Sequence, residues 1–219
     1  MHIHRPGRGE CAVVTHNRAM TVLDIDTPHG PARAHVTKVR GARGAVILGH
    51  GAGGGVGAKD LAAAGVAAVD EGFGVALVEQ PYRVAGRRSP APAKQLDAAW
   101  TAVIAHLRGG PMKGLPVVTG GRSSGARVAC RTAAATGATA VLCLAFPLHP
   151  PGRPDAPSRQ NELDEVTVPV LVVQGESDPF GMPAPGPGRT ILAVKGDHSL
   201  RADLAAVGTA IAQWLAQLL

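Results

Sequence analysis

Six short runs of almost wholly apolar residues recur along the chain, at 44–48, 74–79, 115–121, 140–145, 169–174 and 191–194. Runs this short, without polar alternation, read as strands buried on both faces. That is the pattern of a parallel sheet with helices packed on either side. The segments between them supply the helices. Residues 58–71 and 126–135 read as two. Residues 94–107 read as a third, because Leu96, Trp100, Val103, Ile104 and Leu107 share one face. A last helix carries Leu200, Leu204, Val207, Ile211, Leu215 and Leu218 on one face, with Ser199 as its N-cap. The alternation predicts an α/β fold: a three-layer α/β/α sandwich around a doubly wound, mostly parallel sheet. Residues 20–26 and 34–39 flank Thr27-Pro28-His29-Gly30-Pro31 and read as an antiparallel N-terminal hairpin. Residues 1–18 are polar and irregular, with Cys11-Ala12-Val13-Val14 a short edge strand. No repeat or long linker divides the rest, so residues 1–219 are expected to form a single domain.

Composition excludes several classes. Apolar residues make up 45% and charged residues 17%, which is globular and not disordered. With aromatics at only 3%, Ala, Val and Leu must build the core. The net charge of +6 is spread mostly over scattered arginines, with no accompanying nucleic-acid motif, so no nucleic-acid partner is expected. The start of the chain, Met1-His2-Ile3-His4-Arg5-Pro6, lacks the apolar core of a signal peptide. The longest uncharged run, 132–152, is broken by Gly137, Pro147, Pro150 and Pro151, so no membrane span is expected. Cys11, Cys130 and Cys143 are odd in number and lack metal-site spacing; they read as reduced thiols of a cytoplasmic protein without metal or cofactor.

In a sheet of this kind the site lies beyond the carboxyl ends of the strands. The run 115–121 leads into Gly121-Arg122-Ser123-Ser124-Gly125, with a helix behind it. Strand, G-x-S-x-G turn, helix is the arrangement that lifts a serine hydroxyl above a strand end. Side chains two residues before and after that serine would collide, so both positions are glycine. Ser124 fits the frame worse, since Arg122 and Ala126 occupy its flanking positions.

A serine needs a base to take its proton, and an imidazole suits neutral pH. A carboxylate then fixes the imidazole tautomer and stabilises the imidazolium that forms. His198, in the loop after the last strand, is the candidate base, with His50 and His149 as rivals. Asp178, at the end of the 169–174 strand, is the candidate acid. Asp197 is too close in sequence to reach round the ring, and Glu176 is a weaker alternative. The oxyanion of an acyl intermediate needs two backbone N–H groups. Ser124 and Ala52 are the candidates, with Gly53 as runner-up to Ala52. Gly51-Ala52-Gly53-Gly54-Gly55 lacks the Lys-Ser/Thr ending of a phosphate-binding loop. Candidates for holding substrate are His50, Tyr82, Arg83, Arg122 and His149, all after strand ends; a guanidinium there suits a carboxylate or phosphate. The alternative is a solvated loop whose arginines pair with Glu79 or Asp155.

On Gly49-His50-Gly51-Ala52-Gly53-Gly54, Gly121-Arg122-Ser123-Ser124-Gly125-Ala126-Arg127, Gln174-Gly175-Glu176-Ser177-Asp178-Pro179-Phe180-Gly181 and Gly196-Asp197-His198-Ser199, the chain resembles the α/β-hydrolase superfamily. It looks most like the small lidless branch near dienelactone-hydrolase-like proteins. Phe146-Pro147-Leu148-His149-Pro150-Pro151-Gly152 is similar to a loop in predicted hydrolases that group with testis-expressed and chromatin-complex-subunit proteins. The resemblance implies a Ser123–Asp178–His198 triad and a carboxylesterase-like serine hydrolase acting on a small ester or thioester. It leaves two alternatives, a non-catalytic binding scaffold and an acyltransferase or peptidase with the same triad. The chain departs from the superfamily twice. Residues 179–190 hold Pro183, Pro185 and Pro187 where the superfamily usually has a helix. No sizeable cap follows the 140–145 strand, so the site is expected to be open and its substrates small or exposed.

Overall fold

A computed structural model of the chain describes residues 20–150, 152–153 and 155–218. The expected edge strand at 11–14 lies outside them. Among the described residues eight strands form one sheet: Met20–Ile25 (β1), Ala32–Thr37 (β2), Gly44–Gly49 (β3), Phe73–Glu79 (β4), Val117–Arg122 (β5), Ala140–Leu144 (β6), Val170–Gly175 (β7) and Arg189–Val194 (β8). Their order across the sheet is β1-β2-β4-β3-β5-β6-β7-β8. β2 runs antiparallel to both β1 and β4, and every pairing from β4 to β8 is parallel. The expected hairpin is therefore present. Its turn is held by Thr27, whose hydroxyl donates to the Gly30 carbonyl and accepts the His29 N–H.

The period of two is visible in β3. Val46 and Leu48 face one side, packed with Leu61 and Ala64 of the helix Lys59–Asp70 (α1) and with Val207, Ile211 and Leu215 of Leu204–Leu218 (α6). Ala45 and Ile47 face the other side, against Leu96, Trp100, Val103, Ile104 and Leu107 of Ala93–Gly109 (α3). Ser124–Thr136 (α4) lies beside α3 and covers Val141, Cys143, Val170 and Val172 through Ala126, Ala129 and Ala133. β3, β6 and β7 are buried along their whole length, as the apolar runs predict.

Three details differ from the sequence reading. The loop expected after residue 80 begins with a single helical turn, Pro81–Val84 (α2), started by Pro81, whose fixed φ suits a first helical position. A second short helix, Gln160–Asp164 (α5), interrupts the polar stretch before β7. Ser199 is not the cap of α6. Asp203 is, its carboxylate accepting the Ala206 N–H at 2.8 Å. The helix cannot begin earlier because Leu200, buried against the core, sits in the left-handed region at φ 51°. Residues 179–190 form no helix, as their prolines require.

Candidate active site

β5 delivers Ser123 to the carboxyl edge of the sheet at φ 52° and ψ −111°, directly before α4. Its N–H donates to the Leu144 carbonyl of β6, which locks the elbow to the neighbouring strand. The glycines around it are required by close approach. A Cβ on Gly125 would sit 2.5 Å from the Gly49 carbonyl oxygen and 2.9 Å from that of His50. One on Gly121 would sit 2.5 Å from the same Gly49 oxygen and 2.8 Å from the Gly125 carbonyl carbon. The collision foreseen between the two positions is thus joined by a stronger one, against the end of β3.

His198 and Asp178 arrive from two adjacent loops, after β8 and β7. A Cβ on Gly175 would meet the Asp197 and Gly196 carbonyl oxygens at 2.4 and 2.6 Å, so the two loops lie in direct contact. Ser177 adds its N–H and hydroxyl, both donated to the Gly196 carbonyl. His198 Nε2 stands 2.9 Å from Ser123 Oγ, and His198 Nδ1 stands 2.9 Å from Asp178 Oδ2. An ionised carboxylate only accepts, so Nδ1 carries the ring proton and Nε2 offers its lone pair to the serine hydroxyl. The imidazole also stacks on Phe180, ring centres 4.1 Å apart at 28°. Asp197, the sequence rival of Asp178, instead takes the N–H and hydroxyl of Ser199 and closes a local turn.

The acid is held by a residue that the motif reading passed over. Gln174, fully buried at the end of β7, donates Nε2 to Asp178 Oδ2 at 2.8 Å and to the carbonyls of Phe146 and Gly181. Its Oε1 accepts the Phe146 N–H, while Asp178 Oδ1 accepts the Phe180 N–H. This clamp fixes the acid although residues 179–190 form no helix. The signal was present in the sequence, since a lone amide inside an apolar strand must find buried partners. Gln174→Leu strands one buried N–H and two carbonyls, and is expected to cost about 2–3 kcal/mol. Denaturant unfolding of the variant beside the parent checks it.

Most of the residues expected to grip substrate also make contacts within the protein. His50 is 3% exposed and uses both ring nitrogens within the protein. Nδ1 donates to the Gly51 carbonyl and Nε2 accepts the Gln80 N–H. Burial holds its pKa below the ordinary histidine value, which matches this neutral, turn-shaping role. Tyr82 is buried edge-on against His50 and donates its hydroxyl to the Ala52 carbonyl. These two rings set the backbone of the glycine-rich loop. Arg122 pairs with Asp60 and donates to the His198 carbonyl, so its guanidinium is committed within the protein. His149 donates to the Ala156 carbonyl, and its own N–H reaches the Phe180 carbonyl, bracing the loop under the stacked ring. Arg83 bonds the Arg87 carbonyl, while Glu79 faces His35 at 3.1 Å. Ser124, as first residue of α4, has an N–H with no acceptor inside the helix. A groove of about 490 Å³ opens beside the elbow, lined among others by Gly53, Gly55, Arg122, Ser199 and Arg201. Among the described residues no cluster of His, Cys, Asp or Glu could hold a metal ion, and no helix is long and apolar enough to cross a membrane.

Comparison with known proteins agrees with this architecture. A lidless α/β serine hydrolase from Xanthomonas campestris superposes with a TM-score of 0.71 at 21% identity, over 89% of this chain and 92% of that one. A dienelactone hydrolase from Anabaena variabilis gives 0.73 at 17% identity, over 93% and 100%. An esterase from Pyrococcus furiosus gives 0.72 at 14% identity, over 90% of each. At these identities the likeness is one of fold. No curated protein matches the sequence. The family model described as an alpha/beta hydrolase domain matches residues 42–213, from the start of the central sheet into the last helix, and the chain therefore belongs to the α/β-hydrolase family, in a form without a cap.

Proposed function

We propose that the protein is a serine hydrolase of the carboxylesterase kind, acting on a small carboxylic ester or thioester through an acyl-Ser123 intermediate. The observation that carries this reading is the continuous chain of two 2.9 Å contacts from Ser123 Oγ through the His198 ring to Asp178. His198 Nε2 takes the hydroxyl proton as Oγ attacks the acyl carbon. The imidazolium that forms is stabilised by Asp178, whose side chain is 1% exposed and so acts in a weakly screened environment. The ring then gives its proton to the departing alcohol or thiol. Water enters, His198 removes one of its protons as the water oxygen attacks the acyl carbon, and the ring returns that proton to Ser123 Oγ as the C–Oγ bond breaks and the acid leaves. The N–H groups of Ser124 and Ala52 are assigned to the oxyanion, the first because an unpaired helix-start donor directly follows the nucleophile. Cys130 and Cys143 are free thiols 3.5 Å apart in the core, which supports a reducing, cytoplasmic setting.

A fluorophosphonate probe tests the reading, because it reacts only with a serine activated by its base. Labelling mapped to Ser123, lost in Ser123→Ala, is the expected result. A folded protein that takes no label and hydrolyses none of a panel of short acyl esters, thioesters and lactones would make it a binding scaffold instead. Release of amide or transesterified product in preference to free acid would make it a transferase.

A further inference from the structure

We infer that Arg122 and Asp60 act together as a positioning strut for His198, a role that rests on the hydrolytic reading above. Arg122 is the last residue of β5 and directly precedes Ser123. Its Nε lies 2.8 Å from Asp60 Oδ2, and its Nη2 donates to the backbone carbonyl of His198 at 3.0 Å. One planar guanidinium therefore joins three distant pieces of chain: the elbow, the start of α1 and the loop that carries the base. Among the described residues no other side chain donates to the His198 carbonyl.

The strut is stiff for electrostatic reasons. Asp60 is 1% exposed and already takes the Leu61 N–H on its other oxygen. A carboxylate buried this deeply cannot give up its counter-charge cheaply, so the pair stays closed. Burial raises the Asp60 pKa above the ordinary carboxylate value, and the Arg122 cation opposes that rise without cancelling it. With Nε in ion-pair contact with Asp60 Oδ2, the rigid fork of the guanidinium carries Nη2 to the His198 carbonyl. The backbone leaves room for it: a Cβ on Gly51 would lie 2.8 Å from Arg122 Nη1. On the other side His198 is held by Asp178 and Phe180, which fix its ring. Arg122 fixes its main chain. Together they set the ring's reach to Ser123 Oγ, where a misplacement of about 1 Å can cost as much as 100-fold in rate.

Three variants of the full chain test this. Arg122→Lys keeps the charge but loses the two-directional fork. Asp60→Asn keeps the shape but releases the guanidinium. The double variant Asp60→Asn with Arg122→Gln removes both charges, so no buried ion is stranded and the fold is spared. With p-nitrophenyl acetate as probe, each is expected to lower kcat by about 10–100-fold with KM held within about twofold, the double no worse than the worse single. The His198 ring resonances are expected to shift in all three. Values of kcat within about twofold of the parent in both Arg122→Lys and the double variant, with the ring resonances unmoved, would overturn the inference. So would a rise in KM at unchanged kcat, which would mean that Arg122 holds substrate. Failure of the hydrolytic reading looks different: the parent itself neither turns over esters nor takes a fluorophosphonate label. The ring resonances then still decide whether the strut sets the position of His198.

Discussion

His198→Ala is expected to lower kcat for ester hydrolysis by about 10⁵–10⁶-fold, and adding Ser123→Ala to it is expected to change almost nothing further. In the proposed mechanism hydroxyl and imidazole perform one step between them. Without the base, Oγ keeps its proton and cannot attack; without Oγ, the base has nothing to deprotonate. Asp178→Asn should fall by about 10⁴-fold, because an amide beside Nδ1 permits the wrong tautomer and gives the imidazolium no counter-charge. The two contacts through which Gln174 and the Phe180 N–H hold this side chain would then be partly mismatched as well. Initial-rate kinetics on one activated ester, with mass spectrometry to follow acyl transfer onto Ser123, reads all of these. Losses that multiply from variant to variant would mean that the residues act independently, and that adjacent side chains at 2.9 Å are not a catalytic unit.

Gly125→Ala is expected to destabilise the fold by about 3 kcal/mol or more, in spite of alanine's better helix propensity. Gly125 lies in the first turn of α4, where propensity alone would favour alanine by up to about 1 kcal/mol. The added methyl group, however, would stand 2.5 Å from the Gly49 oxygen and 2.7 Å from its carbon. Both are backbone atoms of a strand that is paired on either side, to β4 and β5, so neither can retreat without breaking the sheet's centre. Gly121→Ala meets the same oxygen and is expected to behave alike. Gly208→Ala in α6 is the matched control. Nothing lies within 4 Å of its new methyl group, so it should gain stability by roughly 0.5–1 kcal/mol. Urea unfolding midpoints of the three variants check both signs. Similar midpoints for all three would mean that β3 and α4 pack less closely than described.

Much of this architecture is legible in the order of residues alone. Short apolar runs without alternation, bounded by Gly and Pro, read as strands covered on both faces, and α3 shows its packing stripe from Leu96 to Leu107. The elbow is legible because close approach forces glycine on both sides of a serine. What escapes is whatever depends on partners far away in sequence. Arg122 reads as a guanidinium available to substrate, and its pairing with Asp60, buried at the start of another helix, is not visible in the sequence. His50 reads as a possible base until the Gln80 N–H and Gly51 carbonyl occupy its ring. Ser199 reads as a cap because Leu200 looks like the first residue of an apolar stripe. Leu200 is indeed buried, but by a left-handed kink rather than a helical turn. Gln174 stands apart, since its burial in β7 could have been anticipated and only the identity of its partners could not.

The hydroxyl and the imidazole are anchored in parts of the sheet that differ in security. β5, which carries Ser123, has strands on both sides, whereas β8, which ends just before His198, is the outermost strand among the described residues and has a neighbour there on one side only. Peeling that margin by a few ångströms would part the proton acceptor from its donor while leaving the middle of the molecule intact. Heat or mild denaturant can therefore silence such a protein well before it loses its shape.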